Sequence, residues 1–169
     1  MANWRGHTVG GALLGVAYVG VLAAGPNSLT EHTRGLLSDW QLLIGLMVIC
    51  VLFALWPDID TNSKGQNIFF GIAFVADILL IVNGRLEAAA YLGLIAMTPI
   101  IGKHRGWTHT KLAMILVPLP IVVIPYLYRP EVLQPAALLY GAAVVGYFSH
   151  LLLDGLIFKH FRIKTSDRS

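Results

Sequence analysis

Charged residues are scarce in this sequence of 169 residues, and they make up only 12% of it. An average soluble domain has about 25% charged residues, so this chain has too few to cover a surface that faces water. Hydrophobic residues make up 56%, which also excludes a disordered chain, because disordered chains are poor in apolar residues and rich in charge. The composition therefore indicates a protein that crosses a membrane several times.

Cysteine is almost absent. The one cysteine, Cys50, lies in an apolar run, which excludes a disulfide framework and a metal site built from thiolates. The formal net charge is only +3, from 12 Lys and Arg against 9 Asp and Glu. We therefore expect membrane lipid as a partner and no nucleic acid, while the oligomeric state is left open.

Apolar stretches long enough to cross a bilayer, about 17–25 residues each, recur between short polar breaks. They predict an all-α, polytopic membrane bundle of about six transmembrane helices, at roughly 8–24, 40–56, 68–82, 86–101, 112–128 and 132–158. We expect one catalytic helical bundle over 1–158 and a basic cytoplasmic tail over 159–169. Glycines in the first span predict close helix packing, and three prolines predict a kink in the fifth.

The distribution of Lys and Arg predicts the orientation of the chain, because cytoplasmic loops carry an excess of these residues. The side that holds both termini has nine of the twelve, and the opposite side has three. We therefore expect a multi-pass protein of the cell (inner) membrane with both termini in the cytoplasm. The nine are Arg5, Lys64, Lys103, Arg105, Lys111, Lys159, Arg162, Lys164 and Arg168.

Histidine and aspartate residues that are far apart in the sequence fall at that same membrane face. Taken singly, each is typical of a helix cap or a headgroup contact, but ionisable residues are rare in apolar runs and usually functional there. Imidazole nitrogen and carboxylate oxygen ligate zinc, manganese or iron, and the lack of thiolates argues against a structural zinc site. We predict a divalent-metal site formed by His7, Asp58, Asp60, His104, His109, His150 and Asp154.

Local spacing supports this prediction. His150 and Asp154 are four residues apart, so on a helix both side chains lie on one face. Asp58 and Asp60 follow Pro57, and we expect one of them to ligate and the other to orient a histidine. Seven such ligands exceed the need of one tetrahedral ion and fit two ions about 3.5–4 Å apart.

Other polar and aromatic residues near or inside the spans receive no part in this site. Asp77 lies inside the third span. We expect it to be either a protonated carboxyl group that is hydrogen-bonded to another helix or part of an ion pathway. The four tryptophans fall near predicted helix ends, where tryptophan typically anchors a helix at the membrane interface.

Four ordered motifs resemble a known family, that of membrane-bound metal-dependent hydrolases, which includes LexA-regulated inner-membrane proteins of bacteria and archaeal members. The resemblance covers nearly the whole chain. The family is grouped distantly with zinc-dependent phospholipase C and P1-type nucleases, all-helical enzymes that cut phosphoesters with clustered zinc ions. This chain shares their His-x-x-x-Asp pair but is membrane-embedded and has fewer candidate ligands. The motifs are His7, Pro57-Asp58-Ile59-Asp60 with Ser63, His104-Arg105-Gly106-Trp107-Thr108-His109 and Ser149-His150-Leu151-Leu152-Leu153-Asp154.

The residues and the resemblance together predict a membrane-embedded, metal-dependent hydrolase of phosphoesters, phospholipase-like, that acts on a lipid or lipid-like substrate at the inner leaflet. The expected cofactor is one or two divalent ions, with zinc favoured and manganese or magnesium as alternatives. The alternative function is a divalent-metal transporter, with Asp77 as a relay, or a metal-binding membrane protein without catalysis.

Roles within the site follow from side-chain chemistry. Asp58 and Asp60 are expected to act as ligand, bridge or general base, and Arg105 to make a bidentate contact to phosphate. Lys64 and Lys103 are expected to attract anionic headgroups. Three hydroxyl residues are expected to hydrogen-bond ligands or substrate, or else to cap helices. They are Ser63, Thr108 and Ser149.

Overall fold

The computed structural model describes residues 3–25, 33, 35–59, 64–101 and 107–157, and within them it contains no strand. Two short 3₁₀ turns lie at Trp56–Asp58 and Pro130–Val132. The predicted all-α membrane bundle is confirmed. Its helices are α1 (Trp4–Ala24), α2 (Trp40–Leu55), α3 (Lys64–Val82), α4 (Leu86–Ile101), α5 (Lys111–Leu116), α6 (Pro120–Tyr128) and α7 (Leu133–Leu153).

All six apolar segments of the sequence are largely helical, but they differ in length. Two shorter apolar helices cover Gln66–Val82 and Leu86–Met97. The tail over 159–169 lies outside the described residues. Among the residues that the structure describes, four stretches are long and apolar enough to cross a membrane, namely Trp4–Ala24, Trp40–Asp58, Lys111–Tyr128 and Pro130–Leu153.

Helices α1, α2 and α7 pack most closely on one another, because glycines lie where they touch. A Cβ atom added at Gly11 would stand 2.6 Å from the Ala54 Cβ, and one added at Gly146 would collide with the Cys50 carbonyl oxygen. Small residues at these crossings let the helix backbones approach. The predicted role of the glycines in the first span therefore holds for Gly11 but not for Gly20, which faces open space.

The fifth apolar segment is broken rather than kinked. Helix α5 ends at Leu116, and α6 begins with Pro120 at its first position. Neither Pro118 nor Pro120 has a backbone N–H to continue the helical hydrogen bonds. Pro125, by contrast, lies inside α6.

The last helix is shorter than its apolar pattern predicts, since α7 ends at Leu153 and not near residue 158. Gly155 adopts a φ of 68°, which glycine tolerates without the steric cost that other residues have. Its N–H donates to the Leu152 carbonyl at 3.0 Å, and the Leu156 N–H donates to the Leu151 carbonyl at 2.9 Å. These two bonds form a Schellman motif, and it fixes the position of Asp154 at the helix end.

Candidate metal centre

Local hydrogen bonds place His7 and Asp58 at the same end of the bundle. The Asn3 side chain caps α1 by accepting the Gly6 N–H at 3.0 Å, so that His7 lies in the first turn. Helix α2 ends before Pro57, and Asp58 closes the 3₁₀ turn that follows. Because α1 and α2 run in opposite directions, the start of one lies beside the end of the other.

The end of α7 and the start of α5 complete this arrangement. His150 lies in the last turn of α7, and Asp154 caps its end. His109 precedes α5, whose first turn is capped by the Thr110 hydroxyl, which accepts the Ala113 N–H at 3.1 Å. Four helix ends therefore bring five of the seven predicted ligands together.

Three donor atoms form a compact triangle, which we call the His109 group (Asp58, His109 and His150). Asp58 Oδ1 lies 3.3 Å from His109 Nε2 and 3.7 Å from His150 Nε2, and the two Nε2 atoms are 3.4 Å apart. A tetrahedral zinc ion with ligands at about 2.0–2.1 Å separates its ligand atoms by about 3.3–3.4 Å. The spacing of this group therefore fits a zinc-sized ion.

A second group, the His7 group (His7, His150 and Asp154), lies directly beside the first. His7 Nε2 is 3.6 Å from Asp154 Oδ1, whereas His150 Nε2 is 3.6 Å from Asp154 Oδ2. The two oxygens of Asp58 also face different histidines. Its Oδ1 faces His150, as given above, and its Oδ2 lies 3.9 Å from His7 Nε2. Each carboxylate thus presents one oxygen to His7 and the other to His150, and this arrangement fits two ions bridged by carboxylates.

Hydrogen bonds from outside the cluster determine which histidine nitrogen faces into it. His150 Nδ1 lies 2.9 Å from the Ala54 carbonyl oxygen, which only accepts, so Nδ1 carries the proton and Nε2 presents a lone pair. The end of α2 at Leu55 leaves this carbonyl available. His109 Nδ1 lies 3.1 Å from the Thr108 hydroxyl, which can hold that ring with its Nε2 lone pair towards Asp58.

Three of the five side chains lie deep inside the bundle. His7, His150 and Asp154 are almost fully buried, and the rings of His7 and His150 stack with centroids 3.9 Å apart. Buried polar groups nearly always have a hydrogen-bond partner, yet neither ring nitrogen of His7 has one among the described residues. Asp58 is 34% exposed and His109 is 20% exposed, so the His109 group is also the side from which water or a substrate can enter.

Aromatic packing supports the cluster from within the bundle. Trp56 is fully buried, so the predicted interfacial role is wrong for this tryptophan, and its ring lies 5.7 Å from that of Tyr147 and 5.8 Å from that of Trp107. The Tyr147 hydroxyl donates to the Thr108 carbonyl, which ties the segment bearing His109 to α7. The sequence pattern predicts neither the Tyr147–Thr108 bond nor the contact between His150 and the Ala54 carbonyl. Two features of the sequence could have indicated them: Pro57, just beyond Ala54, and Tyr147, one helical turn before His150.

The other predicted site residues are placed as follows. Lys64 begins α3 and is exposed. The Ser149 hydroxyl donates to the Gly146 carbonyl of its own helix at 2.7 Å. Asp77 lies about 20 Å along α3 from Lys64, at about 1.5 Å per residue, and so remains outside the cluster. Asp60, Ser63, Lys103, His104 and Arg105 lie outside the described residues.

Comparison with known families places these observations in context. A family model for the YdjM inner membrane protein matches residues 1–162. The chain belongs to the YdjM inner membrane protein family. Membership agrees with the membrane location that the composition predicts, and all five candidate ligands of this YdjM-family protein lie within the matched range. No curated protein and no solved structure matches the chain.

The Thr108 hydroxyl gives a direct test of how His109 is oriented. Thr108→Val removes the hydroxyl beside His109 Nδ1 while keeping the side-chain shape. We expect zinc affinity to fall about tenfold, because loss of a group that orients a metal-binding histidine typically costs about 10–100-fold. Ser149→Ala is the matched control, since Ser149 is equally buried but bonds only its own helix. An equal change in both variants, measured by zinc titration in detergent, would argue against this role.

Proposed function

We propose that this YdjM-family protein is a membrane-embedded, metal-dependent hydrolase of phosphoesters, with a lipid or lipid-like substrate at the inner leaflet. The observation that carries the proposal is the convergence of five buried or half-buried donor side chains at one end of the bundle. Neighbouring nitrogen and oxygen atoms in this cluster lie 3.3–3.9 Å apart, and they belong to His7, Asp58, His109, His150 and Asp154. Three imidazoles and two carboxylates at this spacing are a donor set that suits a divalent cation.

The residues divide into two sets of ligands. The His109 group would hold one ion through Asp58 Oδ1, His109 and His150. The His7 group would hold another, with Asp58 Oδ2 close to His7. A divalent ion bound there would lower the pKa of a coordinated water towards neutrality and offset the charge of a phosphate group. Zinc suits this donor set best, and manganese or magnesium is the alternative.

Further residues are proposed to act on water and substrate. Asp58 stands at the open side of the cluster, where its carboxylate can take a proton from the attacking water if it is not fully engaged as a bridge. Asp60 and His104 are proposed as additional ligands, with Asp60 as the other candidate base. Lys64, Lys103 and Arg105 would attract and orient the phosphate.

The position of the cluster favours hydrolysis over transport. Transporter sites typically lie near the middle of the bilayer, whereas this cluster lies where four helices end. Asp77, the carboxyl that a transport pathway would use, lies about 20 Å along α3 from Lys64, at about 1.5 Å per residue, and belongs to neither group of candidate ligands. The excess of Lys and Arg on the side of the termini supports a cytoplasmic orientation of the site.

Metal analysis followed by an activity screen tests the proposal. We expect protein purified in detergent to contain one or two divalent ions per chain and to hydrolyse a phosphatase or phospholipase substrate. Chelation should abolish turnover, and added zinc or manganese should restore it, because the ligands themselves remain in place. Metal without turnover would contradict the hydrolase, and metal-dependent uptake into proteoliposomes by the same preparation would favour the transporter.

A further inference from the structure

An apolar groove runs between α2 and α3 on the surface of the bundle. Its volume is about 340 Å³, within the range of about 300–1,000 Å³ that is typical of small-molecule sites. Every residue along it is apolar, so it cannot hold a polar ligand by hydrogen bonds from side chains. It is lined by Val48, Gly71, Ile72, Val75, Ala76 and Leu79.

Lys64 lies on the same face of α3 as this groove. Gly71, Val75 and Leu79 follow Lys64 at positions i+7, i+11 and i+15, which is the spacing of one helical face. Lys64 is also the first residue of α3 and is exposed. An exposed cation at the head of an apolar groove complements the two ends of an anionic lipid, a phosphate above and an acyl chain below.

Helix α3 links the groove to the candidate metal centre, because it packs both against α2 and against the 3₁₀ turn that ends in Asp58. At about 1.5 Å per residue, the groove begins about 10 Å from Lys64, at Gly71, and continues to about 22 Å, at Leu79. A lipid whose phosphate lies at Lys64 therefore reaches the groove only with a long chain.

We propose that this groove holds an acyl chain of the substrate while Lys64 holds its phosphate, so that the substrate class is a long-chain, anionic phospholipid or lipid phosphate. This inference rests on the proposed hydrolase function. The groove does not bind the chain more tightly than the bilayer does, because lipid tails are as apolar as its lining. It instead keeps the phosphoester beside the metal ligands and so raises the effective concentration of substrate there.

Filling the groove tests its effect on turnover. A Cβ atom at Gly71 meets nothing within 4 Å, so Gly71→Leu can enter the groove without moving the backbone. We expect kcat/KM for a long-chain phosphoester to fall at least about tenfold, because the chain can no longer position the headgroup. Turnover of a soluble analogue with the same headgroup should not change. Gly93→Leu on α4 is the matched control, since a Cβ there also meets nothing within 4 Å. Equal losses in the two variants, or equal losses on the two substrates, would overturn the proposal.

Photolabelling tests the groove without relying on turnover. The full chain in phosphatidylcholine vesicles is exposed to phosphatidic acid that carries a diazirine in its acyl chain. We expect adducts to concentrate on Ile72, Val75 and Leu79 and to be lost in the Gly71→Leu variant. Lys64→Glu should also reduce them, whereas Arg85→Glu, at the opposite end of α3, should not.

The two proposals fail in different ways in these experiments. Labelling spread evenly over all lipid-facing helices would overturn the groove, even if hydrolysis and its metal dependence are observed. Labelling concentrated in the groove, in a protein that hydrolyses no phosphoester, would support the lipid site and overturn the hydrolase.

Discussion

Asp154→Asn is expected to abolish tight metal binding and to leave a folded membrane protein. Asp154 is 2% exposed and lies 3.6 Å from both His7 Nε2 and His150 Nε2. Loss of a residue that only orients a ligand costs about 10–100-fold in metal affinity, so loss of the ligand itself should cost at least about 100-fold. The amide has nearly the same shape as the carboxyl, so the packing of α1 and α7 should persist. Zinc content after gel filtration measures the first effect, and circular dichroism the second.

Asp77→Asn is the control for this experiment, because it makes the same change in a carboxyl that lies in α3 and outside the cluster. Its metal content and turnover should match those of the unmodified protein. His150→Ala should reproduce the loss seen with Asp154→Asn, since His150 belongs to both the His109 group and the His7 group. Metal loss in the Asp77 variant alone would place the site within the membrane and favour transport.

Gly146→Ala is expected to destabilise the protein more than alanine at any other glycine that the structure describes. The new Cβ would collide with the Cys50 carbonyl oxygen, which belongs to the backbone of α2 and cannot rotate away. Overpacking of a close contact typically costs about 1–3 kcal/mol, and a backbone collision should cost about 3 kcal/mol or more of the free energy of unfolding. Because Asp58 lies in the turn that follows α2 and His150 lies in α7, we also expect metal affinity to fall.

Gly20→Ala on α1 is the matched control, because a Cβ there meets nothing within 4 Å. In that helix alanine should be neutral or stabilise by about 0.5–1 kcal/mol, as is usual when alanine replaces glycine inside a helix. Unfolding by a denaturing detergent, followed by circular dichroism, measures both variants. Similar stabilities for the two would mean that α2 and α7 do not cross closely at Gly146.

The membrane class, the helices and most of the candidate ligands follow from the sequence alone. Long apolar runs with few charges allow few alternatives to transmembrane helices, because backbone polar groups must be satisfied internally in lipid. Histidine and aspartate are conspicuous in such a sequence, so His7, Asp58, His109, His150 and Asp154 can be selected without coordinates. Counting six spans also predicts that these five residues lie on one side of the membrane.

Helix ends were less predictable, since apolar residues continue past them. The end of α7 depends on the positive φ of Gly155, and the break between α5 and α6 depends on Pro118 and Pro120 rather than Pro125. Both features are local and could be found from glycine and proline positions. An apolar pattern that continues past them, however, favours a longer helix.

Only the tertiary structure decided how the ligands are arranged. The division of the oxygens of Asp58 and Asp154 between His7 and His150 depends on the crossing of α1, α2 and α7, and no local pattern encodes the geometry of that crossing. The Ala54 carbonyl determines that His150 carries its proton on Nδ1. Every residue has a backbone carbonyl, so the sequence does not indicate which one His150 contacts. The groove likewise depends on how α3 packs against α2, which leaves open space around Gly71. The sequence determined which chemical groups lie at this end of the bundle, and packing between distant segments determined their distances, because those distances depend on contacts between residues that are far apart in the chain.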